Sequence, residues 1–217
     1  MVAGADAVLC GNRFLFKEAG LYKQEGVHYV PTVVDTDEYP VKCHQPLSMP
    51  VVGWMGSKST LGYVTQMRDL CDRLYRAGKC TFEIVADRGP DEEIPGLTFR
   101  KWQKEKEKSL LLHFDVGIMP LRDDIWTLGK CGLKLLQYMA AGIPSVAHPI
   151  GAAKEIVSHG VNGLLAETAD QWEEAVGALC ANPDLRERMG KAARETVEER
   201  YSLRIWGPRV AEIIDRL

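Results

Sequence analysis

The chain has 217 residues, 46% of them apolar and 26% charged, with a net charge of −3. That composition suits one large globular domain, or one domain with an appendage, and the weak negative charge leaves no electrostatic footprint for nucleic acid. No apolar run approaches the roughly 20 residues of a membrane span.

Six cysteines form no Cys-x-x-Cys pair, and the opening "MVAGADAVLC" is too short and lacks the basic start of a signal peptide. Both features predict reduced thiols in a cytoplasmic protein. "ADAVLC" (5–10) reads as a strand, Asn12 as the cap of a helix over 13–23, and "VHYVPTVV" (27–34) as a second strand. Residues 35–49 hold prolines and no periodicity, which predicts a linker.

A longer series of strands and helices follows. "PVVGWMG" (50–56) predicts a strand ending in a glycine turn, and residues 60–78 a helix with Val64, Met67, Leu70, Cys71 and Leu74 on its apolar face. "CTFEIVAD", "LTFRKW", "DVGIMPL", "PSVAHP" and "NGLLA" read as strands. Between them lie predicted helices at 106–114, from about 131, and around 152–158. The cluster "KEKEK" at 104–108 mixes signs and reads as a solvated helix start. The last fifty residues are helical in pattern. One stripe is Trp172, Ala175, Val176 and Leu179. A second is Leu185, Met189, Ala192 and Val197, opened by Asn182-Pro183, and a final helix from about 203 is expected to bend at Pro208. The alternation predicts an α/β fold, a Rossmann-like parallel sheet flanked by helices with a helical C-terminal segment. Two strands cannot bury a core alone, so residues 1–34 read as the remnant of a domain whose body is absent.

Ligands of open parallel sheets bind where strands lead into helices. Three such loops stand out. In "GWMGSKST" (53–60), Gly53 and Gly56 permit close backbone approach, and Ser57 opens a helix start that suits a phosphate or is simply capped. In "GKCGLKLLQYMAAG", Leu133, Leu135, Leu136, Met139 and Ala140 are expected in the core, with Lys134, Gln137, Tyr138 and Ala141 on the other face. The N–H groups of Cys131, Gly132, Leu133 and Lys134, with the cations Lys130 and Lys134, match an anion as large as a diphosphate. The alternative is a solvent-facing Lys134 and Gln137. In "PIGAAKEIV", Gly151 precedes a short helix, and Glu155 either caps it, pairs with a lysine or accepts sugar hydroxyls. Trp102 either borders a flat base or belongs to the core. Asp123, Asp124 and Trp126 sit in a polar loop. The five histidines have no metal-ligand spacing, and neither a Walker loop nor a Ser-His-Asp arrangement is present.

Together, "VVGWMGS", "FDVGIMPL", "GKCGLKLLQYMAAGIPSVA" and "GAAKEIVSHGVNGLLA" resemble the donor-binding half of GT-B retaining glycosyltransferases of family 4. "ADAVLCGNRFLFKEA" and "GVHYVPTVVDTDEY" resemble the end of that family's N-terminal acceptor domain. The resemblance implies a donor-binding domain at 50–200 after a linker at 35–49, and a helix at 201–217 that would cross back toward the N-terminal domain. It implies a nucleotide-diphosphate sugar as donor, with no metal and no other cofactor. Lys130 and Lys134 would stabilise the leaving diphosphate. Gly53, Gly56, Ser57, Trp102, Cys131, Gly132, Leu133, Gln137, Gly151 and Glu155 would contact the donor. The family's pair of glutamates eight positions apart falls here on Gly129 and Gln137, so both carboxylates are gone. The acceptor is unnamed. The N-terminal acceptor domain is the expected partner, no nucleic acid is, and peripheral membrane contact is left to a longer protein. The isolated chain is expected to bind donor weakly and transfer little or nothing.

Overall fold

Strands and helices alternate over most of the computed structural model, in which residues 2–217 are described. The first piece is β1 (Val8–Cys10), α1 (Arg13–Gly20) and β2 (Val27–Tyr29). Its two strands run parallel, Val8 opposite Val27. Both are shorter than the apolar runs predicted, because each has one neighbouring strand and, among the described residues, the stretch 30–34 makes one bridge, Val34 to Ser202. Asn12 caps α1 as expected, its side-chain oxygen accepting from the Leu15 N–H at 2.7 Å.

The second series begins with β3 (Val51–Met55). The helix predicted over 60–78 is broken into a 3-10 turn at Lys58–Thr60, α2 (Gly62–Thr65) and α3 (Arg68–Arg76). The break falls at Met67, whose ψ of 12° leaves the helical region. β4 (Thr81–Ala86), β5 (Leu97–Lys101), α4 (Glu107–Leu111), β6 (Val116–Met119) and α5 (Ile125–Leu128) follow. Next are α6 (Leu133–Ala140), β7 (Ser145–Ala147), α7 (Ala153–Ile156) and β8 (Leu164–Leu165). The chain ends in α8 (Ala169–Ala181), α9 (Pro183–Arg200) and α10 (Leu203–Ile214).

Six strands form one parallel sheet in the order β5-β4-β3-β6-β7-β8. The order reverses between β3 and β6, and in open α/β sheets that switch point opens a crevice at the carboxyl ends of the strands. Side chains alternate across the sheet. Val52, Trp54, Phe82, Ile84, Val116 and Ile118 join the core under α3 and α8, while Met55, Val85 and Met119 join the core under α6. Gly53 and Gly117 lie on the α6 side. A Cβ on Gly53 would come 1.9 Å from the Phe114 ring, and one on Gly117 would come 2.5 Å from Tyr138, so these two aromatics rest directly on the strands.

Residues 35–49 are not a loose tether. Half-buried Lys42 pairs with buried Asp115 at 3.0 Å, Tyr39 is buried, and Arg194 donates to the Thr36 and Tyr39 carbonyls. The stripe predicted on α9 is displaced. Met189 and Val197 are buried, but Ala193 and Arg186 replace Ala192 and Leu185, because α9 packs against both α6 and α8. The wholly buried Arg186 guanidinium donates to the Leu179 and Cys180 carbonyls at the end of α8 and to the Gln45 carbonyl. α10 runs through Pro208 without interruption. Its Trp206 meets the edge of Tyr29, with ring centroids 6.1 Å apart.

Candidate functional site

A cavity of about 580 Å³ opens at the switch point, within the usual range for small-molecule sites. Trp54, Met55 and Gly56 at the end of β3, Met119, Pro120 and Leu121 at the end of β6, and the start of α6 form its walls. Lys130, Cys131, Gly132, Leu133, Lys134 and Gln137 all line it. Gly132 opens α6 with φ of 74°, and no side chain caps the helix. The free N–H groups and the positive end of the helix dipole therefore face the cavity with no side-chain cap on them.

Two cations border this opening. The Lys134 ammonium lies 5.4 Å from the Trp54 ring centroid and the Lys130 ammonium 4.8 Å from that of Tyr63. Burial pushes Lys134 down to about 8, and the neighbouring charge of Lys130 adds to the shift. Burial also lowers Lys130, against an opposing pull from Asp124. A desolvated cation without an acid to offset it is a built-in preference for an anionic ligand. Gly56 makes the arrangement fit, since a Cβ there would come 2.3 Å from the Trp54 ring and 2.9 Å from the Lys134 stem.

The face assignment of α6 needs correction. Leu133, expected in the core, is 49% exposed, while Tyr138 and Ala141, expected on the open face, are fully buried. α6 is enclosed between the sheet and α9, so only its first turn sees solvent. The Tyr138 hydroxyl accepts from the Met55 N–H and donates toward the Ile118 carbonyl, fixing the helix to both strands of the switch point. Gln137 is 8% exposed and therefore not a solvent-facing residue. Its amide nitrogen donates to Glu107 Oε1 at 2.8 Å, and Glu107 Oε2 accepts from the Trp102 indole at 2.8 Å.

Gly56, Ser57 and Trp102 line the cavity together with the α6 residues, but Gly53, Gly151 and Glu155 do not. Gly53 lies beneath Phe114 inside the sheet layer. Gly151, with φ of 52°, allows the turn to pass the Thr127 and Leu128 carbonyls, which a Cβ would approach to 3.2 Å. Glu155 is turned toward the first piece, where it accepts from the Arg13 N–H at 3.2 Å and from the Tyr29 hydroxyl at 3.3 Å. Burial above all pushes that hydroxyl up to about 12, which keeps it a donor.

Several cavity residues escaped the sequence reading: Trp54, Tyr63, Asp87 and Glu107. The signal for Glu107 was present but weak, a carboxylate five residues after Trp102 inside a charge cluster. Asn12 also matters. It is 1% exposed, and its amide donates to the Leu128 and Lys130 carbonyls at 2.9 and 3.0 Å, so α1 holds the loop that carries Lys130. Among the described residues, no three His, Cys, Asp or Glu side chains gather into a metal-sized group.

A family model described as "Glycosyl transferases group 1" matches residues 50–182. The chain is 30% identical over 178 residues to the alpha-D-kanosaminyltransferase of Streptomyces kanamyceticus, covering 76% of this chain and 45% of that protein. Its fold is similar to that of sucrose-phosphate synthase from Thermosynechococcus elongatus. There the TM-score is 0.79 and the identity 16%, covering 99% of this chain and 59% of that one. It is also similar to Anabaena HepE in complex with UDP and glucose, with a TM-score of 0.78 and 15% identity, covering 98% of this chain and 64% of that one. At such identities the structural likeness is one of fold. The chain spans less than half of the curated relative and less than two thirds of either structure.

Proposed function

The chain belongs to the group 1 glycosyltransferases, and from that premise we propose that it is the donor-binding half of a retaining transferase using a nucleotide-diphosphate sugar. The observation that carries the proposal is the pair of lysines at the uncapped start of α6, facing a cavity at the switch point of the sheet. HepE, with which this chain shares its fold, is bound to UDP and glucose, consistent with a donor of this class.

In this reading the diphosphate lies against the N–H groups of Cys131, Gly132 and Leu133, with Lys130 and Lys134 beside it. As the glycosidic bond breaks, negative charge grows on the leaving phosphate. Fixed cations and helix dipoles in a partly dry site stabilise that charge more than they stabilise the ground state. The leaving phosphate itself then takes the acceptor's proton, so no second carboxylate is required. Trp102 borders the base or ribose, and Ser57 with Gly56 closes the phosphate side. Transfer needs an acceptor surface beyond the donor cavity, and this chain alone transfers little or nothing.

Calorimetry with a panel of nucleotide sugars and their bare nucleoside diphosphates tests the reading. Intact donors are expected to bind more tightly than the bare nucleotides. Equal binding of bare nucleotide would make the chain a nucleotide-binding module instead, and no binding to any of the panel would refute both.

A further inference from the structure

The cavity offers many donors and few anchored acceptors. Two acids line it, Asp87 and Glu107. Asp87 is exposed, and its Oδ1 accepts from the Lys58 N–H. Glu107 is half-buried and fixed on both sides, one oxygen on the Gln137 amide and the other on the Trp102 indole. A carboxylate only accepts, so the Gln137 amide nitrogen must face it, and the rotamers of all three side chains are set by one another. Each Glu107 oxygen keeps a further acceptor site, and the two together suit a pair of neighbouring hydroxyls. Lys134 and Gln137 lie three positions apart on α6, about one turn, so an anion on Lys134 and a diol on Glu107 fall within reach of one ligand.

We propose that Glu107 is the carboxylate that binds a vicinal diol of the donor, held in place by Trp102 and by Gln137. The proposal rests on the donor-site reading above. It assigns Gln137 a positioning role and moves the hydroxyl-accepting charge from α6 to the start of α4. The diol belongs either to the ribose or to the transferred sugar.

The test is calorimetric titration of the whole chain and of Glu107→Gln. The ligands are uridine and guanosine diphosphates, their 2′,3′-dideoxy forms, and UDP-glucose and GDP-mannose, with thermal melts to confirm that the variant folds. Loss of a charge-assisted hydrogen bond predicts roughly ten- to hundred-fold weaker binding of the best ligand. If the loss appears with the bare ribonucleotide and vanishes with its dideoxy form, the diol is the ribose. If it appears only with the intact nucleotide sugar, the diol is the sugar's. Binding of every ligand within about two-fold of the parent, or an equal loss with the dideoxy nucleotide, overturns the role of Glu107 and leaves the donor site standing. A parent chain that binds none of these ligands overturns both.

Discussion

Lys134 shows how a single side chain works against the fold and for the ligand. Its stem crosses Gly56 onto Trp54 and its ammonium is desolvated, which lowers its affinity for a proton to about 8. Because the folded state holds this proton less tightly than the unfolded chain, the destabilising effect is full below pH 8. It fades as pH rises toward the ordinary lysine value of 10.5. Lys134→Met keeps the stem and removes the charge. At pH 7 the variant is expected to gain about 1 kcal/mol in urea unfolding, a discounted figure because part of the ammonium still meets water. The same change is expected to weaken nucleoside diphosphate binding at least roughly ten-fold. For the parent, affinity should fall as pH rises through about 8, since the anion needs the protonated amine. A variant that loses stability, or binding that is flat from pH 7 to 9, would show that the ammonium is not the anion's partner. Spacing placed the two lysines and the glycines around them at a helix start and left open whether Lys134 faces a ligand or solvent; the fold sets both lysines on the cavity. Glu107 was not legible in the sequence, because a carboxylate in a mixed-charge run looks solvated until the fold sets Trp102 and Gln137 against it.

At the level of elements, one contact ties the first piece to a loop of the site and another ties it to α7 outside the site. α1 reaches the 128–130 loop through Asn12, and Glu155 on α7 reaches back to Arg13 and Tyr29. Sequence identified Asn12 as a cap, and that role holds, but its amide also orders the backbone beside Lys130. Asn12→Ser keeps a capping oxygen and loses both amide donations. It is expected to cost about 2 kcal/mol of stability, the worth of two buried hydrogen bonds. It should also weaken nucleotide binding roughly three- to ten-fold, although the residue does not line the cavity. Unchanged affinity in calorimetry would mean the loop holds its shape without α1. Sequence left Glu155 open between a cap, a lysine partner and a sugar contact, and only the three-dimensional position of α1 and β2 turns it toward Arg13 and Tyr29. The burial of α6 beyond its first turn was hidden in the same manner, since Tyr138 looks amphipathic until its hydroxyl is seen on Met55 and Ile118.

Across the whole molecule, the alternation of strands and helices carried the fold class, and turn chemistry carried the position of the crevice. The order of the strands, the break between α2 and α3 and the docking of residues 35–49 depended on long-range contacts that periodicity does not encode. In the proposed function, an uncapped helix start and two lysines, rather than a bound metal, hold the diphosphate of a nucleotide sugar. This is tested most directly by titrating UDP-glucose and GDP-mannose in EDTA into the parent chain and into the Lys130→Met, Lys134→Met double variant. Saturable binding by the parent, unaffected by EDTA, is expected, with no measurable heat from the double variant. Binding that requires added divalent metal, or that survives loss of both lysines, would contradict it.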